Sequence, residues 1–584
     1  MNIPTETIKP RQIMDVRTYL SSSPEEKKAY LSDMISTIEK KYPDMDPGAK
    51  RMFGFFLTEL LPIVSPSGGE KDTRENLENW STMHPKAEQM TRAVDNAGNL
   101  LVTIAATPGY EDKPGILLQS HMDINCNPTK EQNPDISPEI NPVFPVFDKG
   151  QTRIATQGTT LGADDRLGVA AEVILADEIL NSDIPHGKIG LLFTTGEEDG
   201  LIGAMGFSFP KELLTGYKYL FNLDNEDSHE AIVGAAGGKN LNLRLPIERE
   251  DALGKLTLRI DLGGLLGGHS GADIHFQRLN AIKTLAGVIE KLSGVVDLGL
   301  VSLSGGTMDS SIPQRASAIV SIPKEQKADL EKIVEELQKE ISDEDIITKS
   351  SLENSPLVKE KQKKKNKLQP EEPLFTVSDV QTNTQPMTQN SSDNLLSLIK
   401  DLPSGVIEVD DKYNIVKTSS NFGIITTNDN NVFFVNFARS SSVGSLDNII
   451  SKLSEIGASH NAEIVPAGKA FNVWEPDFSS PLLETVKSTH KEATGRDLEV
   501  NVIHAGLESH TIYEKIKEIL GEGMPDDFGM VSLGPSMENV HTESEYFDIL
   551  EASEFFPAVR LLLQTVMKEM QNEENASERR STIS

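Results

Sequence analysis

Three short apolar segments, each followed by polar residues, limit the architecture that this chain can adopt. They are GILLQS at Gly115–Ser120, KIGLLFTT at Lys188–Thr195 and YKYLFNL at Tyr217–Leu223. Continuous apolar segments of this length are typical of strands that are buried on both faces of a sheet. Leu161–Asn181 lies between the first two and has helical periodicity. Strands that alternate with helices predict an α/β domain with a mixed, largely parallel sheet.

Residues that can bind a metal ion follow directly after these segments. His121 follows the first, Glu197 and Glu198 follow the second, and Asp224 follows the third. In open α/β sheets, ligands bind beyond the carboxyl ends of the strands. We therefore expect these four side chains to meet at one edge of the sheet, and this expectation rests on the pattern alone.

Two aspartates extend this set. Asp123 lies two residues after His121 in an extended segment, so we expect its carboxylate to orient the ring for catalysis by accepting the second ring N–H. Asp164 stands at a predicted helix start, where backbone N–H groups favour a carboxylate, and a carboxylate can bridge two cations. Adjacent side chains point apart, so Glu197 and Glu198 are expected to divide the roles of base and ligand. Each motif alone is more often structural, but together they indicate a metal-dependent hydrolase.

The composition excludes several other kinds of site. Cys126 is the only cysteine, so the chain cannot close an internal disulfide or build a thiolate-rich zinc site, and Cys126 is expected to be a small buried residue. The formal net charge is −33, which argues against nucleic acid and anionic membranes as partners. No apolar segment reaches the ~20 residues that span a bilayer, and the N-terminus lacks the pattern of a secretory signal. We therefore expect a cytoplasmic protein.

The rest of the chain predicts a second α/β region, which begins near Gly238 and includes helices at Asn280–Leu292 and Lys324–Glu340. Residues 353–394 are basic at first and then rich in Gln, Asn, Ser and Thr. This composition predicts a flexible surface insertion, in which LFTVSDV has the character of an edge strand. A helix is expected at Pro24–Lys41, within the first 50 residues of the chain.

The motifs occur together and in the same order in a known group of enzymes. HMD at His121–Asp123, GTTLGADD at Gly158–Asp165, TGEEDGLIGA at Thr195–Ala204 and NLDNE at Asn222–Glu226 resemble the co-catalytic zinc peptidases that include aminoacylases and glutamate carboxypeptidase. A closer resemblance, from about residue 52 to residue 567, is to the aminoacyl-histidine dipeptidase branch (Xaa-His dipeptidase, cytosolic non-specific dipeptidase). Further segments carry it, namely GAAGG at Gly234–Gly238, GGHSGADIH at Gly267–His275, NFGII at Asn421–Ile425, ARSS at Ala438–Ser441, IHAGLE at Ile503–Glu508 and MVSLGP at Met530–Pro535.

The resemblance implies a centre with two divalent metal ions, for which zinc is expected and manganese or cobalt would also suit the ligands. One ion would be bound by His121, Asp164 and Asp224, and the other by Asp164, Glu198 and His541. Glu197 would deprotonate a water that bridges the two ions and would pass the proton to the leaving amine. The implied activity is hydrolysis of unblocked dipeptides, Xaa-His dipeptides among them.

The resemblance also implies contacts with the substrate. His269 would act in catalysis by contacting the reacting carbonyl oxygen. Arg439 would hold the terminal carboxylate of the substrate, with Asn421 in the same pocket. Glu508 is a candidate for binding the free amino group, although IHAGLE has an equally good structural interpretation.

The architecture of the family implies that a catalytic domain is interrupted by an α+β lid or dimerisation domain. The expected parts are an N-terminal helical extension (1–50), the catalytic domain (51–237 and 464–571), the lid domain (238–463) and a disordered tail (572–584). Such an insertion explains the long separation of His541 from Asp224 in the sequence. A homodimer that forms through the lid is a family expectation.

Two other functions stay open. An N-acyl amino acid or amide hydrolase would use the same metal centre, with an apolar pocket in place of an acidic group. A non-catalytic binding relative would typically have lost Glu197 or a ligand, and none of these is missing from the sequence. The chain departs from the family pattern around His541, where VHTESE stands in place of HSPD, and after IHAGLE, where His510 is a competing candidate ligand.

Overall fold

The computed structural model of the protein describes residues 15–126, 134–251, 255–352, 374–468 and 470–581. Within these ranges, no helix is both long and apolar enough to cross a membrane. The α-helices of the described ranges are α1 (Val16–Ser21), α2 (Pro24–Lys41), α3 (Pro47–Phe55), α4 (Lys71–Met83), α5 (Ala163–Leu180), α6 (Ile202–Met205), α7 (Lys211–Leu214), α8 (Ala281–Ser293), α9 (Lys327–Leu352), α10 (Gln389–Asp401), α11 (Val443–Ser459), α12 (Pro481–Thr494), α13 (Glu508–Leu520) and α14 (Ile549–Ser581).

The strands of the same ranges are β1 (Met90–Val94), β2 (Leu100–Ile104), β3 (Gly115–His121), β4 (Val146–Phe147), β5 (Arg153–Ala155), β6 (Ile189–Thr194), β7 (Tyr217–Asn222), β8 (Glu230–Ala235), β9 (Gly237–Pro246), β10 (Leu256–Gly263), β11 (Gly268–His269), β12 (Gly299–Gly305), β13 (Ser311–Ile312), β14 (Ala316–Ile322), β15 (Leu374–Asp379), β16 (Gly405–Asp410), β17 (Ile415–Thr427), β18 (Asn431–Ser440), β19 (Glu463–Val465), β20 (Ala470–Phe471), β21 (Glu499–Ile503), β22 (Gly529–Ser532) and β23 (Tyr546–Asp548).

The predicted mixed sheet has eight strands in the order β1-β2-β6-β3-β7-β22-β8-β21. Its centre is parallel, because β3 pairs in parallel with β6 and β7, and β7 with β22. Antiparallel pairs flank this centre, between β1, β2 and β6 on one side and between β22 and β8 on the other. Every residue of β3 and β6 is buried, which explains the continuous apolar segments in the sequence. The α/β class is confirmed.

The chain divides into two compact units. The first consists of Met1–Val233, Asp477–Asn501 and Leu507–Ser584, and the second of Gly234–Pro476 and Val502–Gly506. The predicted return to the catalytic domain at residue 464 comes too early. Strands β19 and β20 pair antiparallel with β9 and so keep this part of the chain in the second unit.

The helices near the N-terminus belong to the core of the first unit. Helix α2 covers the predicted residues, and it starts with a capping box in which the Ser23 and Glu26 side chains bond each other's backbone N–H groups. Its residues Leu31, Met34 and Ile38 are buried in the same apolar cluster as the central strands. The described part of the predicted extension is therefore integral to this unit.

The second unit contains a ten-stranded sheet whose main path is β15-β10-β14-β12-β17-β18-β9-β19. Strands β16 and β20 pair off this path with β17 and β9. Helix α8 begins where Asn280 accepts the backbone N–H groups of Ile282 and Lys283. Its apolar side chains, Leu285 and Ile289 among them, belong to one buried cluster with residues of this sheet. The lid region is therefore a sheet with helices on its apolar face.

Two segments differ from the expectation of irregular structure. Residues 353–373 lie outside the described residues. Leu374–Asp379 forms strand β15 at the edge of the sheet, antiparallel to β10, which confirms the edge strand predicted from LFTVSDV. Helix α10 starts at Gln389, inside the predicted insertion, with Thr388 as its N-cap. The tail predicted to be disordered continues α14 as far as Ser581, since its residues include no glycine or proline that would end a helix. Residues 582–584 lie outside the described ranges.

Candidate metal centre

Four of the five predicted metal ligands lie at the end of a helix or strand. His121 is the last residue of β3, Asp164 lies in the first turn of α5, and Glu198 and Asp224 follow β6 and β7. His541 lies in the loop before β23, with a left-handed φ of 62°. The structure brings these side chains into two groups of three, with the ligand atoms of each group within 4.8 Å of one another, His121–Asp164–Asp224 and Asp164–Glu198–His541.

Asp164 connects the two groups through its two carboxylate oxygens. Its Oδ1 lies 3.1 Å from His121 Nε2, and its Oδ2 lies 3.0 Å from His541 Nε2. In the first group, Asp224 Oδ1 lies 3.4 Å from His121 Nε2. In the second group, Glu198 Oε2 lies 2.9 Å from His541 Nε2. Each oxygen of Asp164 therefore faces a different group.

The donor set fits divalent cations. Two ligand atoms of one tetrahedral ion lie about 3.4 Å apart when the metal–ligand bonds are about 2.0–2.2 Å long. The distances between the histidine nitrogens and the carboxylate oxygens are within half an ångström of this spacing. Glu198 Oε1 is buried and has no hydrogen-bond partner among the described residues. Buried carboxylates that are crowded in this way require positive charge beside them.

Both imidazoles show that the site attracts positive charge. Removal from water lowers the pKa of His121 and of His541. The neighbouring carboxylates, Asp224 foremost beside His121 and Glu198 beside His541, outweigh this effect and hold the pKa of each histidine well above its ordinary value. A centre whose carboxylates favour the protonated form of two imidazoles has the electrostatic character of a cation site.

Asp123 contacts both the histidine and the backbone that carries the two glutamates, and its predicted role toward the ring stays a prediction. His121 Nδ1 lies 3.0 Å from the backbone carbonyl oxygen of Asp123 but 3.5 Å from its carboxylate Oδ1. The carboxylate accepts the backbone N–H groups of Glu197 (3.1 Å) and Glu198 (3.2 Å) and the hydroxyl of Ser67 (2.7 Å). The ring therefore has the carbonyl group as its nearer acceptor, and the Asp123 carboxylate fixes the turn that carries the two glutamates.

Glu197 lies beside the ligands and belongs to neither group. Burial raises the pKa of Glu197 well above its ordinary value; His121 opposes this shift, while the carboxylates of Asp224, Glu198 and Glu508 add to it. A carboxyl group whose pKa is raised above its ordinary value accepts a proton more readily and can return it. The different surroundings of the two adjacent glutamates agree with a division into base and ligand.

A buried polar layer behind the ligands was missed in the sequence. Glu508 begins α13 and is fully buried, and its Oε2 accepts hydrogen bonds from Gln119 Nε2 (2.7 Å) and Thr194 Oγ1 (2.5 Å). Asn222 Nδ2 donates to Gln119 Oε1 at 2.7 Å. The available signal was the presence of polar residues near the ends of the apolar strands, among them Gln119, Thr194 and Asn222. This layer holds Glu508 at the carboxyl ends of β3 and β6.

The second oxygen of Glu508 is not used within this layer. Oε1 is buried and has no hydrogen-bond partner among the described residues. Burial raises the pKa of Glu508 to about 7, while the His121 ring and the bonds from Thr194 and Gln119 oppose the shift. The group is thus a buried acceptor with unused capacity.

In the second unit, His269 and Arg439 lie side by side. His269 Nδ1 accepts the backbone N–H groups of Ala272 (3.0 Å) and Gly271 (3.3 Å), which keeps the proton of a neutral ring on Nε2. Arg439 is buried, with its guanidinium carbon 4.6 Å from the ring centroid of Phe437 and its Nη2 3.4 Å from His269 Nε2. The pair presents hydrogen-bond donors, as the predicted roles require, and those roles stay predictions.

Asn421 has a structural task in the same unit. Its Nδ2 donates to the backbone carbonyl oxygens of Asp309 and Ser311, at 2.8 Å in both cases. Its Oδ1 is buried without a hydrogen-bond partner among the described residues. The predicted contact with a substrate is therefore limited to this oxygen, which cannot bind a carboxylate through its lone pairs.

Two other candidates from the sequence stay outside both groups. Burial lowers the pKa of His510 to about 4, and its Nε2 lies 3.8 Å from Glu514 Oε1 on the same helix. Cys126 is buried, and burial raises the pKa of its thiol to about 12. The thiol is therefore protonated at neutral pH and is not an activated nucleophile.

Comparison with known proteins yields matches over nearly the whole chain. Residues 260–349 match the model of the peptidase dimerisation domain. The chain is 29% identical over 511 residues to the cytosol non-specific dipeptidase of Escherichia coli (strain K12), a match that covers 87% of this chain and 96% of that protein. A shorter match, 42% identical over 111 residues, joins 15% of this chain to 27% of a peptidase T of Clostridium perfringens.

A dipeptidase is also found among the solved structures that match this chain. The crystal structure of aminoacylhistidine dipeptidase from Vibrio alginolyticus matches with a TM-score of 0.67 and 26% identity, over 91% of this chain and 99% of that chain. The two dipeptidases thus match in sequence and in fold, and the dimerisation domain lies within the second unit. The chain is therefore a peptidase that resembles the cytosol non-specific and aminoacylhistidine dipeptidases in sequence and in fold.

Proposed function

We propose that this protein is a metal-dependent dipeptidase that hydrolyses unblocked dipeptides at a centre of two divalent ions. The observation that carries the proposal is Asp164, whose two oxygens face two separate three-residue ligand groups. The similarity to two dipeptidases over most of the chain supports the same activity. Zinc is the expected metal, since oxygen ligands with two imidazoles suit it.

The ligands would be divided as in the two groups, with Asp164 shared. The bound ions would supply an acidified water and would polarise the scissile carbonyl group. Glu197 accepts the proton of the attacking water and returns it to the nitrogen of the leaving amine. Asp123 supports this step, because its carboxylate holds the backbone of Glu197 in place.

Glu508 favours a substrate with a free amino group over an N-acylated one. Its Oε1 is a buried carboxylate oxygen without a hydrogen-bond partner among the described residues. An ammonium group would satisfy this oxygen with a charge-assisted hydrogen bond, whereas an N-acyl group offers no positive charge. Xaa-His dipeptides are the first substrates to test, because the relative from Vibrio alginolyticus is named for them.

We also propose a cellular location and an oligomeric state for the enzyme. The single cysteine and the name of the relative from Escherichia coli support a cytoplasmic location. The match to the peptidase dimerisation domain supports a homodimer. Light scattering of the purified protein measures the number of chains in the assembly.

The activity is tested with zinc-reconstituted protein and a panel of Xaa-His dipeptides, other free dipeptides, a tripeptide and N-acetyl amino acids. We expect the free dipeptides to be cleaved. In Glu197→Gln, we expect kcat to fall by about 10²–10⁴-fold while metal is retained, because the base is lost and the ligands stay. Cleavage of N-acetyl amino acids alone would replace the dipeptidase by an acylase, and full activity of Glu197→Gln would remove Glu197 as the base.

A further inference from the structure

Hydrogen bonds connect the loop that contains His541 to the backbone just before Asp164. The side chain that accepts them is Glu545, which is only 2% exposed and follows His541 by four residues. Its carboxylate accepts three consecutive backbone N–H groups, those of Leu161 (2.7 Å) and Gly162 (2.9 Å) at Oε2 and that of Ala163 (2.8 Å) at Oε1. Asp164 is the next residue of the chain.

The backbone at this helix start is shaped to bind an anion. Gly162 adopts the left-handed conformation, with φ 66° and ψ 37°, which turns the consecutive N–H groups toward one point. This stretch precedes the regular part of α5, since the dihedral angles of Asp164 (φ −77°, ψ 114°) and Asp165 (φ −108°, ψ 30°) are not helical. Glu545 occupies this concavity, so a carboxylate of the chain itself takes the place that a bound anion has in other proteins.

The other end of this connection is a closed loop. The backbone N–H and carbonyl groups of Glu538 and Tyr546 bond each other at 2.8 and 3.0 Å, which closes the loop at its base. Tyr546 also begins β23, which pairs antiparallel with β5. The side chain of His541 stands away from this base and is 47% exposed. Its position therefore depends on how the base of the loop is anchored.

Two of the three ligands in the first group need no such connection. Its members His121 and Asp224 follow from β3 and β7, which are adjacent parallel strands of the same sheet. Backbone hydrogen bonds between the strands therefore set the separation of these two ligands. His541, in contrast, reaches Asp164 from a loop that is far away in the sequence.

We propose that Glu545 is a positioning residue that sets the separation between Asp164 and His541. It thereby controls the affinity of the ion held by Asp164, Glu198 and His541, more than that of the ion held by the first group. This inference rests on the proposed two-ion centre. Glu545 would not contact the substrate or the ions; it acts through the backbone next to Asp164.

The variant Glu545→Gln tests this role at nearly constant volume. An amide has one acceptor oxygen, so its NH₂ group must face at least one of the three backbone N–H groups. Metal-free protein is titrated with Zn²⁺ by calorimetry. We expect the affinity of one site to fall by about 10–100-fold, the range known for residues that support metal ligands, and the other site to stay within about threefold of the wild type.

Two further variants keep the test decisive. Glu551→Gln removes the same charge from an exposed position at the start of α14 and is expected to bind zinc as the wild type does. Glu545→Asp keeps the charge and both acceptor oxygens but shortens the side chain by one methylene group. This variant is expected to bind zinc less tightly than the wild type at the same site. It replaces Glu545→Gln in the experiment if that variant does not fold. Melting temperatures of all variants are measured without metal.

Selective weakening of one site in the Glu545 variants, with Glu551→Gln unchanged, supports the proposal. Wild-type affinity at both sites in the folded Glu545 variants overturns it. An equal fall at both sites that parallels a lower melting temperature of the metal-free protein also overturns it, because the role is then merely structural. A wild type that binds no zinc overturns the metal centre of the proposed function itself.

Discussion

At the scale of single residues, the chemistry of this protein depends on which oxygen of each carboxylate is already used. Both oxygens of Asp164 face histidine nitrogens, one in each ligand group. The Asp123 carboxylate accepts hydrogen bonds from the backbone N–H groups of the two glutamates and from Ser67, and its Oδ1 lies 3.5 Å from His121 Nδ1. Glu508 has one occupied and one unoccupied oxygen among the described residues. The three carboxylates thus suit metal binding, backbone support and substrate binding, respectively.

Glu508→Gln is predicted to weaken the use of free dipeptides. The amide retains the size of the side chain but loses the negative charge that would pair with an ammonium group. Charge-assisted hydrogen bonds contribute about 1.5–3 kcal/mol, so kcat/KM for dipeptides is expected to fall by roughly 10–100-fold, mainly through KM. Steady-state kinetics on a free dipeptide measure this change.

A matched control lies on the same helix. Glu518→Gln removes an exposed charge from α13 and is expected to leave kcat/KM unchanged. If Glu508→Gln cleaves dipeptides with an unchanged KM, the amino group is bound elsewhere. The alternative structural interpretation of IHAGLE would then be the correct one.

At the scale of elements, most of the predicted metal ligands lie at the carboxyl ends of β3, β6 and β7. Apolar segments followed by His, Glu and Asp predicted this position. The sequence did not reveal which atoms hold the ligands in place. The nearer acceptor for His121 is a backbone carbonyl group, and a backbone group leaves no trace in the identity of a residue. Glu545 stood in the segment that departs from the family pattern, and its partners are three backbone N–H groups far away in the sequence.

Gly162→Ala tests the helix start that Glu545 caps. Gly162 has a φ of 66°, and a Cβ atom there would lie 2.6 Å from Ile124 Cγ2. Left-handed strain and overpacking each cost about 1–3 kcal/mol, so the melting temperature is expected to fall by several degrees. Differential scanning calorimetry measures the change.

Gly287→Ala is the matched control for this substitution. Gly287 lies within α8, and a Cβ atom there would meet nothing within 4 Å. Alanine is favoured over glycine inside a helix by about 1 kcal/mol, so this variant is expected to be as stable as the wild type or more stable. Equal melting temperatures for Gly162→Ala and the wild type would contradict the described geometry of the helix start.

At the scale of the whole molecule, the sequence predicted the class of the fold and the interruption of one unit by another. It placed the return to the first unit too early, because the short strands β19 and β20 gain their structure only by pairing with β9. It also treated the helices near the N-terminus as an extension, although burial of Leu31 and Ile38 makes them part of the core. Both errors concern contacts between distant parts of the chain, which local patterns do not encode.

The central claim is a centre of two ions that share one carboxylate, and the metal content per chain tests it most directly. After reconstitution with zinc and removal of excess metal, elemental analysis is carried out on the wild type, His541→Ala and Asp164→Ala, with circular dichroism as the check of folding. We expect about two ions, about one ion and nearly none, in that order, because Asp164 belongs to both groups and His541 to only one. Folded Asp164→Ala that retains two ions, or a wild type that holds one ion or none, would contradict it.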